Sequence, residues 1–216
     1  MKTLREQTDA KIAAGRKAKP SFMAGVDEVI SKAKAFEEGA DALKVGEKAP
    51  DFNLPNAKGD TISLYNLLNN GPVVLTFYRG SWCPYCNLQL RALQAKLNEI
   101  EDLGATLVAV SPEVPDGSLT ENEISNMEFT VLSDQDAKTA KNYGVAWEVP
   151  EFLMEHMRVD RNLDLKKINN GNSNVLPIPG TFIINKHGIV TWNYVNVDYR
   201  TRSEPDEIIE ALKALK

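Results

Sequence analysis

The chain has 216 residues, 43% of them hydrophobic, enough to bury a substantial core in one or two domains. Its 30 acidic side chains against 25 Lys and Arg leave a net charge of −5, which gives no electrostatic basis for binding nucleic acid. No run of about 18 apolar residues offers a membrane span, and the start Met1-Lys2-Thr3-Leu4-Arg5-Glu6 has no apolar signal region, while Glu6 and Asp9 speak against a transit peptide. A cytoplasmic location is expected.

Residues 1–43 read as a charged helical extension in two pieces parted by Lys19-Pro20-Ser21, with Ser21 as the expected cap of a second helix carrying Phe22, Val26, Val29 and Ile30. Its basic cluster Arg16, Lys17 and Lys19 reads as a solvated face. Packing on the main domain and a dimer contact are both open to this extension. From residue 44 to 216 strands and helices alternate, and this stretch is expected to form the main domain. A helix is expected at 63–69. Gly71-Pro72 then introduces the apolar, β-branched and aromatic strand 73–78. Leu90, Leu93, Leu97, Ile100 and Leu103 draw one stripe along a helix over 86–103 that ends at Gly104. Strands follow at 105–110 and 129–132, and a helix at 136–143. Residues 147–178 read as an insertion, with a short helix from Pro150 and a polar loop Asn169-Asn170-Gly171-Asn172-Ser173-Asn174. Strands 181–185 and 189–195 are joined by the hairpin signal Lys186-His187-Gly188, and a helix spans 204–215. The pattern predicts an α/β fold with a central mixed sheet flanked by helices on both faces.

Both cysteines lie in Ser81-Trp82-Cys83-Pro84-Tyr85-Cys86, where the first buried strand hands over to a helix. The first backbone N–H groups of a helix lack intrahelical partners and favour a negative sulfur, so thiolate is stabilised there. Pro84 suits the first helical turn. Cys83 is expected as the exposed, attacking sulfur and Cys86, one turn on, as the buried partner that closes a disulfide. In a reducing compartment that disulfide is transient and catalytic. A structural zinc site would need four ligands, and the chain has only His156 and His187 besides the thiols, so no metal and no cofactor are expected. Trp82 and Tyr85 are expected to shield the sulfurs.

Trp82-Cys83-Pro84-Tyr85-Cys86 resembles the thioredoxin superfamily. Gly46-Glu47-Lys48-Ala49-Pro50-Asp51-Phe52, Gly59-Asp60-Thr61-Ile62-Ser63-Leu64, Phe77-Tyr78, Ser111-Pro112, Leu132-Ser133-Asp134, Gly180-Thr181-Phe182-Ile183-Ile184-Asn185 and Asp198 through Pro205 together resemble a peroxiredoxin-like subgroup of the alkyl hydroperoxide reductase C/thiol-specific antioxidant family. The resemblance covers about 44–216 and implies a thioredoxin fold, a peroxidase activity and a homodimer. The family pattern Pro-x-x-x-Thr/Ser-x-x-Cys lays Cys86 on the peroxidatic position, Cys83 on the hydroxyl position and Arg79 on the proline position. The family's arginine before its late Thr-Phe strand is also missing. Pro179 stands there, as the cis-proline does in thioredoxins, with Pro177 as a rival for that role.

Three functions follow. A thiol peroxidase would reduce hydroperoxides through a Cys83/Cys86 disulfide, with Arg79 and Arg202 as candidates for neutralising charge on the leaving oxygen and a thioredoxin-like or glutathione reductant reopening it. A disulfide oxidoreductase would act on protein disulfides or glutathione adducts through attack by Cys83 and resolution by Cys86. A non-enzymatic sensor would oxidise once and sustain no flux. Helix geometry points to Cys83 as nucleophile and family alignment to Cys86, and both stay open. The peroxidase is the reading carried forward, and surface ion pairing is the plain alternative for both arginines.

Overall fold

The computed structural model describes residues 2–114, 127–172 and 174–215. Thr3 accepts from the Glu6 N–H while Glu6 accepts from the Thr3 N–H, a capping box that opens α1 (Leu4–Ala18). Pro20 sits at N1 of α2 (Pro20–Ala35), and the N-cap is Lys19, not Ser21 as expected. Pro20 already fixes a helical φ without needing a side-chain cap, and Ser21 is carried inside the first turn. One face of α2 buries Met23, Val26, Ile30 and Ala33, so the extension packs on the main domain.

A short hairpin, β1 (Asn53–Pro55) and β2 (Thr61–Ser63), precedes α3 (Leu64–Leu68). The central sheet contains β3 (Val73–Phe77), β4 (Thr106–Ser111) and β5 (Thr130–Ser133) in parallel. Between β3 and β4 the chain crosses over through α4 (Pro84–Gln94) and α5 (Leu97–Asp102). This crossover was expected as one helix from 86. It starts two residues earlier and breaks at Ala95-Lys96, yet Leu90, Leu93, Leu97 and Ile100 stay on one buried face across the break. A continuous apolar stripe carries no sign of such an interruption.

After α6 (Lys138–Asn142), the insertion forms β6 (Ala146–Glu148), α7 (Glu151–Glu155), a π-helical turn His156–Asp160, α8 (Leu165–Ile168) and β7 (Val175–Pro177). β6 and β7 pair antiparallel and close the insertion at its base. Of the expected polar loop 169–174, Ser173 lies outside the described residues. The chain then returns through β8 (Gly180–Ile184) and β9 (Val190–Val195), completing the sheet order β5-β4-β3-β8-β9, and ends in α9 (Pro205–Lys213). β8 runs antiparallel to both neighbours. The mixed sheet and its flanking helices are as the sequence predicts. Among the described residues no helix is long and apolar enough to cross a membrane.

The sheet is buried on both faces because its residues alternate between two cores. Val73, Leu75, Phe77, Phe182 and Ile184 join α2, α3 and the insertion, while Val74, Tyr78, Ile183 and both cysteines join α4, α5 and α9. Gly144, between α6 and β6, has φ +68°, and a Cβ there would lie 2.1 Å from the Asp41 carbonyl oxygen. Backbone strain and a backbone clash would act together. Gly144→Ala is therefore expected to cost about 2 kcal/mol or more. In urea unfolding the midpoint should fall with an unchanged m-value; an unmoved midpoint would mean the turn carrying Asp41 simply shifts aside.

Candidate active site

Cys83 is the N-cap of α4, with extended φ −88° and ψ 113°, Pro84 is its first residue and Cys86 lies in its first turn. Both thiols are free, and both are buried, at 1% and 0% exposure. The expectation of an exposed Cys83 is thus corrected. Half-buried Trp82 and Tyr85 flank it, and the α1–α2 junction and the insertion lie over it. Cys83 nevertheless lines a cavity of about 370 Å³, and Cys86 does not.

Arg202 reaches in from the segment before α9: its Nη2 donates to the Cys86 Sγ at 3.0 Å, and its Nη1 donates to the carbonyls of Tyr199 and Thr201, each at 2.6 Å. Arg79, directly after Tyr78, lays its guanidinium 4.2 Å from the Tyr199 ring centroid and 5.2 Å from that of Trp82, with Met157 Sδ at 3.8 Å from its Nη2. Each arginine is only 4% exposed. Among the described residues neither has a carboxylate partner, and the Nε of each is buried without an acceptor. Surface ion pairing is therefore not what these two residues do. A buried cation without a carboxylate is costly unless another negative charge faces it, and the dithiol is the group placed to carry one.

Burial pushes the Cys83 thiol up, but donation from the Cys86 thiol and the charges of Arg79 and Arg202 outweigh it and hold Cys83 well below the ordinary thiol value. Burial raises Cys86 strongly, and its hydrogen bond to Cys83 and the charge there raise it further, against Arg202. Of the pair, Cys83 is therefore the sulfur that gives up its proton more readily and Cys86 the one that keeps it. A titration by thiolate absorbance near 240 nm should show a step well below about 8.5, the free thiol value, that Cys83→Ser removes. If Cys86→Ser removes it instead, the charge sits on the inner sulfur.

Other side chains hold the loop. Glu113 accepts from the Ser81 N–H at 2.8 Å and from its Oγ at 2.6 Å. At Gly80 (φ +144°) a Cβ would lie 2.3 Å from Trp82 Nε1, so only glycine lets the indole fold over the loop. Gln89, one turn beyond Cys86, donates to Thr76 Oγ1 at 3.1 Å, and Thr76 meets Thr181 at 3.0 Å, which in turn accepts from Ser203 at 3.2 Å. This buried polar chain ties α4 to β3, β8 and the residue after Arg202.

The motif Asp198 through Pro205 divides its tasks. Asp198 pairs with Arg200 at 2.8 Å, and Arg200 also reaches Asp27 of α2 at 2.7 Å, so these residues clamp the extension. Glu204 and Pro205 start α9 through a capping box. Pro179 is buried ahead of β8, and its carbonyl accepts from Asn196. No described peptide bond is cis, which corrects the thioredoxin-like expectation for Pro179 and Pro177. Trans is the default form of an X–Pro bond without special context, and β8 begins directly after Pro179 at Gly180, opposite Phe77. His187 lies in the β8–β9 turn, where Asn185 Oδ1 accepts from its N–H. His156 pairs with Asp160 at 2.6 Å and stacks on Phe22 at 3.8 Å.

Sequence reasoning missed Tyr199, Met157 and Arg161 as neighbours of the site, and Glu113 and Gln89 as its supports. Tyr199 lies within the same motif as Arg202, Asp198 through Pro205, a signal that was available. Met157 and Arg161 lie in the insertion, whose approach to the site no local pattern encodes. Lys19, read as part of a solvated face, lines the cavity.

The sequence pattern of the AhpC/TSA family matches residues 45–193. The chain belongs to the AhpC/TSA family. Peroxiredoxin Bcp of Bacillus subtilis is 27% identical over 177 residues, covering 81% of this chain and 96% of that protein. Peroxiredoxin Bcp of Escherichia coli is 30% identical over 113 residues, or 51% of this chain and 70% of the relative. Among solved structures, peroxidoxin BcpB of Mycobacterium tuberculosis aligns with a TM-score of 0.61 at 22% identity, covering 81% of this chain and 99% of that one, a likeness of fold. Within this AhpC/TSA member, Arg202 contacts Cys86, and Pro179 stands where the resemblance implies an arginine before the late strand.

Proposed function

We propose that the protein is a thiol peroxidase in which Cys83 attacks the hydroperoxide and Cys86 resolves. The observation that carries this reading is Cys83 lining a cavity beside a buried arginine with no carboxylate partner among the described residues, whose charge helps hold the thiol well below its ordinary value. The thiolate attacks the terminal peroxide oxygen and the O–O bond breaks. Arg79, stacked between Tyr199 and Trp82, faces the negative charge that gathers on the departing oxygen, which takes a proton and leaves as alcohol or water. Cys83 is left as sulfenic acid. The Cys86 sulfur displaces its hydroxyl as water, forming the disulfide. Arg202 at 3.0 Å stabilises negative charge on Cys86 as it attacks. A thiol donor then restores the dithiol.

The Arg202 contact also favours a second reading, in which Cys86 attacks and Cys83 resolves, as the family alignment has it. Single-turnover oxidation of the reduced protein by hydrogen peroxide, followed by tryptophan fluorescence, tests the peroxidase itself. A rate orders of magnitude above that of a free thiol at the same pH supports it. A rate equal to that of a free thiol, with rapid exchange against disulfides, would make the protein a disulfide oxidoreductase.

In this reading residues 1–43 act as an extension of the 44–216 domain and the cycle runs in a reducing compartment, the cytoplasm. The homodimer is tested by light scattering, where a monomeric mass at working concentration removes it.

A further inference from the structure

The cavity above Cys83 is walled by the two segments that the redox cycle itself does not require. Phe22, from the first turn of α2, stacks on Phe152 at 5.6 Å and on His156 at 3.8 Å. Gly25, one turn further along, lies so close to Phe152 that a Cβ would sit 2.4 Å from its ring. Extension and insertion therefore meet over the dithiol and form a roof.

The charges beneath and around this roof have one sign. Among the described residues no acidic side chain lines the cavity, although the whole chain carries −5. Arg79 lies buried at its floor, with its Nε unpartnered. Arg161 and Lys19 stand exposed at its edge. Among the described residues none of the three has a carboxylate partner; Arg161 instead donates from Nη2 to the Trp82 carbonyl at 2.9 Å, with its guanidinium 5.9 Å from the Trp82 ring centroid. Arg200 also lines the cavity, but Asp198 and Asp27 neutralise it. The Cys83 thiolate offsets one of the remaining cations, and once Cys83 enters a disulfide that charge is gone. The oxidised state is thus the one in which the cavity most needs an anion.

We infer that the cavity docks a small thiol bearing one or more carboxylates, which reduces the Cys83–Cys86 disulfide in place of a folded protein donor. The inference rests on the dithiol cycle proposed above. A folded donor would have to displace the roof from a sulfur that is 1% exposed, whereas a small molecule fits the existing 370 Å³. The chemistry is directional. The docked thiolate attacks Cys83 Sγ, the Cys83–Cys86 bond breaks, and Cys86 leaves as thiolate with Arg202 Nη2 against it before taking a proton. A leaving thiolate stabilised in this way departs faster. A second small thiolate attacks the outer sulfur of the mixed disulfide, releasing the symmetrical disulfide and the Cys83 thiolate, so two thiols supply the two electrons.

The test uses the full chain oxidised to its disulfide with diamide, which needs no peroxidase activity. Reduction rates are measured with glutathione, 3-mercaptopropionate, 2-mercaptoethanol and cysteamine, each divided by its rate against hydroxyethyl disulfide at the same pH and thiolate concentration. The carboxylate thiols should exceed cysteamine by about tenfold or more, as field focusing in a cationic cleft predicts, and the ratio should shrink in high salt. Arg161→Glu should bring the ratio towards one or below, and the salt series in wild type gives the same answer should that variant misfold. Rates that follow thiol basicity alone, or faster reduction by thioredoxin than by any small thiol at equal thiolate concentration, would overturn the inference. Rapid peroxide oxidation without the charge preference leaves the peroxidase standing and removes the reductant. Slow peroxide oxidation with the preference intact does the reverse.

Discussion

Cys83→Ser is expected to abolish the fast reaction with hydrogen peroxide, lowering the second-order rate constant by on the order of 10³ or more, while Cys86→Ser keeps the fast phase and stops at the sulfenic acid. The reason is the placement of the single negative charge. Both sulfurs are buried, and a buried sulfur attacks only where it is ionised and where a substrate reaches it. Cys83 meets both conditions, as the thiolate of the pair and the sulfur that lines the cavity. Cys86 meets neither, because burial and donation to Cys83 keep it protonated. In Cys86→Ser the hydroxyl still donates to the thiolate, so the first step survives, but no sulfur remains to displace water. One dimedone adduct per chain in Cys86→Ser, and none in Cys83→Ser, would identify the attacking sulfur. The opposite pattern gives the role to Cys86 and makes Arg202 its activating cation.

The sequence announced the dithiol because a proline-spaced pair at a strand-to-helix junction is a local pattern, complete within about ten residues. The strands of the central sheet were legible for the same reason: each is a short run of apolar, β-branched or aromatic residues bounded by turn formers. β6 and β7 were not, since three residues each give no periodicity, and they pair only because the chain between them folds back. Exposure was misjudged at Cys83, where residues 19–25 and 152–161, far apart in sequence, meet above it. Arg202 could be nominated from a motif, but its contact with Cys86 spans 116 positions and depends on how the segment after β9 returns to the sheet.

Arg79→Met should lower the peroxide rate constant at neutral pH by about 10²–10³, the usual cost of removing one fixed donor from a developing oxyanion, and should also shift its pH dependence. Two effects combine. Arg79 is one of the charges that hold Cys83 below the ordinary thiol value, so its loss raises the folded-state value, and the acid limb of the rate profile moves to higher pH. A thiolate held low in the folded state reacts at full rate above that value and loses rate as pH falls through it; the variant therefore loses rate at pH values where wild type is still fully ionised. At a pH high enough for the rates of both proteins to have levelled off, both carry the thiolate, and the fraction of the deficit that remains there belongs to the leaving oxygen alone. Methionine fills much of the space between Tyr199, Trp82 and Met157 without a charge, so folding should persist, and a thermal melt checks it. Arg79→Lys keeps the charge but loses the planar stacking between the two rings, and should recover part of the pH shift and little of the high-pH rate. A profile for Arg79→Met that is lower at every pH yet unshifted would assign Arg79 to the leaving oxygen only, and leave Arg202 and the Cys86 thiol as the groups that ionise Cys83.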